Sequence, residues 1–297
     1  MGVLFLISSI TYSCSIMIRT NYHTHNAFCD GTGLMEDYVQ AAKDKGFQAL
    51  GFSSHAPIAL ANEWSLSEER LRAYLDEGRR LKQVHQGDIE LYVGLEIDYI
   101  PGSQGPRDTR WDSLGLDYRI GSVHSTVGLD QDPEYRCIDG PVEGLEWVLE
   151  NIHGGSVRQM CEAYYARVAE LAQLGGFDIL GHFDLIKKRN QDNRYFDEKS
   201  PWYSHAAMEA LKAVAKSGVI LEINTGAISR GLRDDPYPSP FILHAARKME
   251  IPVTYSADAH APAALDCSFD DVQDLLKDTG YSHVRVLMGG HWKDVAV

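Results

Sequence analysis

Tyr22-His23-Thr24-His25, followed by Asp30, is the stretch best suited to chemistry. Along extended backbone, residues i and i+2 share a face, so both imidazoles can reach one ion. Alone the pair is weak, because two loop histidines are more often solvated than ligating. Its weight comes from recurrence: His55, Glu96, His124, His182 and the pair Asp258 and His260 also end apolar runs. Six histidines and three acids exceed the three protein ligands of one catalytic zinc, so the set implies two or three ions. Glu96 is the natural bridge, since a carboxylate offers two oxygens. Mixed imidazole and carboxylate donors favour Zn, Mn or Fe over Mg or Ca. Two ions about 3.5–4 Å apart activate water and clamp the oxygens of an in-line displacement at phosphorus.

Each member alone has a blander reading. His85, His153, His205, His244, His283 and His291 do not end apolar strands ahead of a helix and read as structural or surface residues. Asp258-Ala259-His260 alone could cap a helix, and Glu222 reads as an acid of a barrel interior. The joint pattern, with ligand-type residues at six of seven strand ends, has no comparable structural explanation.

Short apolar runs alternate with longer amphipathic ones, the pattern of βα units. Strands are expected near residues 18–22, 49–52, 89–97, 118–123, 177–181, 219–223 and 252–256, with a trailing run at 283–287. Helices are expected over 36–45, 67–85, 142–151, 156–174, 202–216 and 269–277. Another opens at Ser239-Pro240, with serine as cap and proline at the first helical position. Residues 125–155 are the least regular, and so long an insertion beside a site usually covers or shapes it. The fold class is α/β, a parallel barrel, and such barrels place their active site at the C-terminal strand ends. Every candidate ligand sits at such an end.

With 297 residues, 44% hydrophobic and 24% charged, the chain can bury a sizeable core without staples. A formal net charge of −14 argues against a nucleic-acid polymer or an anionic membrane as partner. A small anionic substrate stays open, because bound cations invert the local field. Five scattered cysteines, Cys14, Cys29, Cys137, Cys161 and Cys267, fit reduced thiols and a cytoplasmic location. Residues 1–16 read as an N-terminal extension, since they lack a basic start and a clear cleavage site. Residues 17–297 form the one barrel domain.

Seven stretches together resemble the polymerase and histidinol phosphatase family: His23-Thr24-His25, Asp30-Gly31, Ser54-His55, Gly94-Leu95-Glu96, Gly121-Ser122-Val123-His124, Gly181-His182-Phe183-Asp184 and Ser256-Ala257-Asp258-Ala259-His260. Glu222-Ile223-Asn224-Thr225, Arg230 and Tyr237-Pro238-Ser239 resemble its histidinol-phosphate phosphatase branch. The resemblance implies a distorted (β/α)7 barrel with a trinuclear metal centre. It implies one ion on His23, His25, Glu96 and Asp258, and a second sharing Glu96 with His124 and His182. A third would use Asp30, His55 and His260, although some relatives carry histidine where this chain has Asp30.

The implied activity is metal-dependent hydrolysis of L-histidinol phosphate, a small-molecule phosphomonoester of histidine biosynthesis. Arg230 is expected on the phosphate, with a second cation from Lys187, Lys188 or Arg189. Asp258 is a candidate donor of the leaving-group proton. Three alternatives stand beside this. A related phosphoesterase would act on nucleotides or another small phosphomonoester. An amidohydrolase-like enzyme would carry a lysine at a strand end, and none is found there. A metal-binding module without turnover would have lost ligands.

Overall fold

Seven short apolar runs become seven parallel strands that pair in sequence order: β1 (Thr20–Asn21), β2 (Ala49–Phe52), β3 (Glu90–Asp98), β4 (Tyr118–Ser122), β5 (Ile179–Leu180), β6 (Ile220–Asn224) and β7 (Val253–Ser256). The structure, a computed structural model, describes residues 18–297, so the expected extension over residues 1–16 lies outside the described residues. Closure comes through the segments that carry the first and last candidate ligands. The His25 amide donates to Ala259 O at 2.9 Å, and the Ala259 amide donates to His23 O at 3.2 Å. The ends of β1 and β7 are thereby drawn together where the imidazoles of His23 and His25 begin.

Helices follow the strands: α1 (Met35–Asp44), α2 (Glu68–Val84), α3 (Val142–Asn151), α4 (Val157–Leu174), α5 (Pro201–Ser217), α6 (Gly226–Ser229), α7 (Pro240–Lys248) and α8 (Phe269–Thr279). Ser67 caps α2 as expected, its hydroxyl accepting from the Arg70 amide at 3.2 Å. Ser239 does not cap α7. Its hydroxyl instead donates to Asp184 Oδ2 at 2.7 Å, because a buried carboxylate lies closer than the orphan amides of the helix. The β3–β4 crossover holds a 3-10 turn, Thr109–Leu114, in place of an α-helix, and the β4–β5 crossover holds two helices. That imbalance distorts the barrel.

Strand alternation sets what faces inward. On β3, Tyr92, Gly94, Glu96 and Asp98 share the interior face. The lower interior is filled by Tyr22, Tyr92, Tyr118, Ile120, Ile179 and Ile220, all buried. Gly51 has to be glycine, because a Cβ there would stand 2.4 Å from the Tyr118 hydroxyl.

The trailing run is not an eighth barrel strand. β8 (His283–Met288) pairs antiparallel with β9 (His291–Ala296), which the sequence analysis did not anticipate. This hairpin closes the N-terminal end of the barrel. The Tyr22 hydroxyl donates to Leu287 O at 2.9 Å and accepts from the Leu287 amide at 3.0 Å. Trp292 meets Tyr22 edge-on at 5.4 Å. With the lower end packed, the polar residues are confined to the upper end.

Candidate metal centre and substrate cavity

Glu96 lies at the middle of the polar end, 1% exposed. Its Oε2 faces three imidazoles: His55 Nδ1 at 2.9 Å, His23 Nε2 at 3.2 Å and His25 Nε2 at 3.4 Å. Its Oε1 faces two more, His182 Nε2 at 3.0 Å and His124 Nε2 at 3.5 Å. Asp258 stands opposite, with Oδ1 3.2 Å from His25 Nε2 and 3.7 Å from His23 Nε2. Towards the rim, Asp30 Oδ2 lies 3.3 Å from His260 Nε2 and 3.8 Å from His55 Nε2. All nine candidate ligands therefore converge, from strand ends and the loops that follow them between residues 23 and 260.

Three groups of donor atoms are close enough to share an ion: His25, Asp30, His55 and His260; His23, His25 and Asp258; and His23, Glu96 and His182. The grouping differs from the implied one in three respects, the first being that Glu96 is absent from the set of His23, His25 and Asp258. His25 also reaches the rim set, and His23 takes the place of His124 beside Glu96 and His182. The His25 ring faces both ways, with Nε2 towards Glu96 and Asp258 and Nδ1 3.7 Å from Asp30 Oδ1.

The donor set fits cations on physical grounds. His23 Nε2, His25 Nε2, His55 Nδ1, His182 Nδ1 and Glu96 Oε2 are buried without a hydrogen-bond partner, a costly state unless something else satisfies them. Burial pushes Glu96 up, but His55 and His23 outweigh it and hold the carboxyl well below its usual range. Burial alone would lower His55 and His124. Glu96 and Asp30 take His55 up to about 9, and Asp98 takes His124 to about 10. His25, lowered by burial and by His55 and His260 to about 3, stays a neutral donor. Carboxylates that draw this much positive charge match a polynuclear cation site.

Two carboxylates aim the imidazoles. Glu222, fully buried, lies with Oε1 2.7 Å from His23 Nδ1. An ionised carboxylate only accepts, so Nδ1 keeps its proton, and Nε2, which faces Glu96 and Asp258, is the nitrogen left to ligate a cation. Glu222 Oε2 accepts from the His182 amide and from Asn224 Nδ2, both at 2.9 Å. Asp98 does the same for His124, with Oδ1 2.8 Å from Nδ1, and its Oδ2 accepts from the Tyr135 hydroxyl at 2.9 Å. Asp98 was not foreseen, although its place two residues after Glu96 on an inward-facing strand was a signal. Glu222 was read as an interior acid, and the structure adds what it holds.

Asp258 adopts φ 48°, a left-handed conformation that non-glycine residues rarely take. Its Oδ2 lies 3.2 Å from Arg230 Nη2, and Arg230 Nη1 lies 2.9 Å from His260 Nδ1. Arg230 thus lies at the cluster, against Asp258 and His260. Burial raises the Asp258 carboxyl, but Arg230 and His23 hold it well below the usual range. An ionised carboxylate suits ligation better than proton donation.

The basic cluster after His182 divides three ways. Lys187 is fully buried and its ammonium donates to Asp235 Oδ2, Pro236 O and Ser239 Oγ at 2.7–2.8 Å. It staples a loop, and the expectation that it meets substrate is set aside, because all three of its protons are engaged. Arg189 donates to the carbonyls of Asp139 and Gly140. Only Lys188 of the three lines the cavity beside the cluster. That cavity, about 480 Å³, runs from His55, His124 and Asp30 to a wall with Trp64, Tyr135 and Asp139. Much of that wall comes from the irregular insertion.

Comparison with known proteins agrees with this geometry. The PHP domain family matches residues 21–226. The chain belongs to the PHP domain family. A protein of Deinococcus radiodurans named "Probable histidinol-phosphatase" is 32% identical over 263 residues, covering 87% of this chain and 92% of the relative. The "Histidinol-phosphatase" of Bacillus subtilis is 26% identical over 259 residues, covering 82% of this chain and 94% of the relative. The crystal structure of a histidinol phosphate phosphatase from Lactococcus lactis, complexed with Zn, L-histidinol and phosphate, superposes with a TM-score of 0.69 at 21% identity, over 93% of this chain and 98% of that one. The fold is therefore that of the PHP histidinol phosphatases, a distorted parallel barrel. Among the described residues no helix is long and apolar enough to cross a membrane.

Proposed function

We propose that this PHP protein hydrolyses L-histidinol phosphate to L-histidinol and inorganic phosphate. The observation that carries the reading is the convergence of nine donors around Glu96, with Arg230 against Asp258 and His260 and, beside the cluster, a cavity lined by His55, His124 and Lys188. The names and coverage of the Deinococcus and Bacillus relatives support the substrate, as do the ligands in the Lactococcus complex.

In this reading His23, His25, Asp30, His55, Glu96, His124, His182, Asp258 and His260 hold two to three Zn, Mn or Fe ions. Bound there, such ions supply Lewis-acid activation of water and positive charge for phosphoryl oxygens. The chain's own residues do the rest. Glu222 and Asp98 fix the tautomers of His23 and His124. Glu96 offers one oxygen to each side of the centre. Arg230 presents a planar fork to two phosphoryl oxygens as charge builds at phosphorus. Trp64 and Tyr135 wall the cavity and exclude water beside the reacting group. The acidic chain makes a small phosphomonoester, not a nucleic-acid polymer, the partner.

The test is phosphate release from histidinol phosphate, nucleoside monophosphates and simple alkyl phosphates, with Zn, Mn and Fe supplied separately after chelation. Histidinol phosphate should give the highest kcat/KM, the chelated protein no turnover, and elemental analysis two to three ions per chain. Faster hydrolysis of a nucleoside monophosphate would replace the substrate, and full activity after stripping would remove the metal mechanism.

A further inference from the structure

The cavity wall formed by the insertion carries one carboxylate held in a defined place. Asp139 lies on the insertion, and contacts on either side of it fix the backbone. The amide of Ile138 donates to His124 O at 2.8 Å, so the segment hangs from the end of β4. Arg189 donates to Gly140 O at 2.7 Å and to Asp139 O at 3.3 Å. The carboxylate itself needs none of this. Its Oδ2 accepts from Lys188 Nζ at 2.7 Å, and among the described residues no other donor bonds it. A pair that only tied down the insertion would duplicate the Arg189 clamp. This pair faces the cavity, with side chains 20% and 12% exposed.

The carboxylate also lies within the field of the cluster. Burial pushes Asp139 up, but Lys188 and His124 hold it well below the usual carboxylate range. A phosphomonoester that enters brings a dianion to the cations at this end. Lys188 can then turn to the phosphoryl group, which leaves Asp139 without a partner in a half-buried wall. An unpaired carboxylate there is costly, and a cation on the substrate removes the cost.

We propose that Asp139 recognises a primary ammonium on the leaving-group side of the substrate, close to the ester oxygen, so that the cavity selects amino-alcohol phosphates over neutral ones. The inference rests on the proposed phosphatase reading and adds the specificity residue to it. Opening the Asp139–Lys188 pair frees both charges at once, one for each end of an amine-bearing phosphomonoester. An amine-free phosphate takes up Lys188 and leaves Asp139 unmatched.

The test compares histidinol phosphate with its deamino analogue, which keeps imidazole, chain and phosphate. The parent should prefer the amine by about 10–100-fold in kcat/KM, the scale of one charge-assisted hydrogen bond. In Asp139→Asn that ratio should fall towards one through KM, with metal content unchanged, and Asp139→Glu should restore part of it. A purely structural role would lower both substrates equally and leave the ratio intact, which overturns the assignment. A parent ratio near one overturns it as well. If histidinol phosphate is not a substrate at all, the reading under Proposed function falls separately. The same ratio is then taken on aminoethyl phosphate and ethyl phosphate, where a ratio unchanged by Asp139→Asn, or near one in the parent, overturns the role of Asp139.

Discussion

Glu222→Gln isolates how the fold prepares a ligand without touching the ions' own donors. The carboxylate serves three donors: His23 Nδ1 at 2.7 Å, the His182 amide at 2.9 Å and Asn224 Nδ2 at 2.9 Å. Glutamine has one acceptor and one donor end. With its carbonyl at the Oε2 position it keeps the His182 and Asn224 bonds and sets an NH2 against His23 Nδ1. The reverse orientation opposes two donors and costs about 1–3 kcal/mol for each bond unmade. The first arrangement therefore wins, and the His23 proton moves to Nε2. That atom lies 3.2 Å from Glu96 Oε2 and is the one proposed to ligate. The metal-free protein stays folded, because every donor near residue 222 again has an acceptor. Metal affinity should fall by about 10–100-fold, the usual cost of losing such a partner, or about 1.4–2.7 kcal/mol. Competition against a chromophoric chelator measures the affinity, and thermal melting of the stripped protein checks the fold. Affinity within twofold of the parent would refute the tautomer argument. So would a loss of fold in the stripped variant, which would make Glu222 a core residue and nothing more.

Glu96→Gln removes the charge faced by five imidazoles and should lower turnover by at least about 10²–10³-fold with the fold retained; near-normal turnover excludes it as the bridge. Arg230→Lys keeps a charge but loses the fork, and should cost about 10²-fold in kcat/KM, about 2.7 kcal/mol, with metal content unchanged. Parent-like turnover in both Arg230→Lys and Arg230→Ala would move phosphate recognition to Lys188. Gly226→Ala places a Cβ 2.8 Å from both Arg230 Nη2 and Asp258 Cβ. It should lower stability by about 1–3 kcal/mol in thermal unfolding and depress kcat/KM, whereas a silent substitution would mean that the Asp258–Arg230 contact gives way freely.

Much of this protein is decided by local sequence. The seven barrel strands and most helix bounds follow from alternating apolar periods and from caps such as Ser67, because both depend on neighbours a few residues away. The nine donors were legible for the same reason. They lie near or just beyond the C-terminal ends of strands, with Asp30 in the turn that follows β1, and parallel strands put those ends on one face. What the chain order could not show was which donors meet. His23 faces Glu222 across 199 residues of chain, and Lys187 turns to Asp235, Pro236 and Ser239 while its neighbour Lys188 turns to the cavity. Lys187 and Lys188 are chemically alike in sequence. Their different fates come from the 3-10 turn at Leu185–Lys187, which points adjacent side chains in different directions. Asp98 and Asp139 looked like ordinary polar residues until the barrel and the insertion set them beside His124 and Lys188. The C-terminal hairpin likewise exists because the open lower end of the barrel offers Tyr22 and Tyr118 to Leu287 and Trp292. Strand identity is local physics, whereas ligand aim, charge pairing and closure need surfaces that exist only after the barrel has formed.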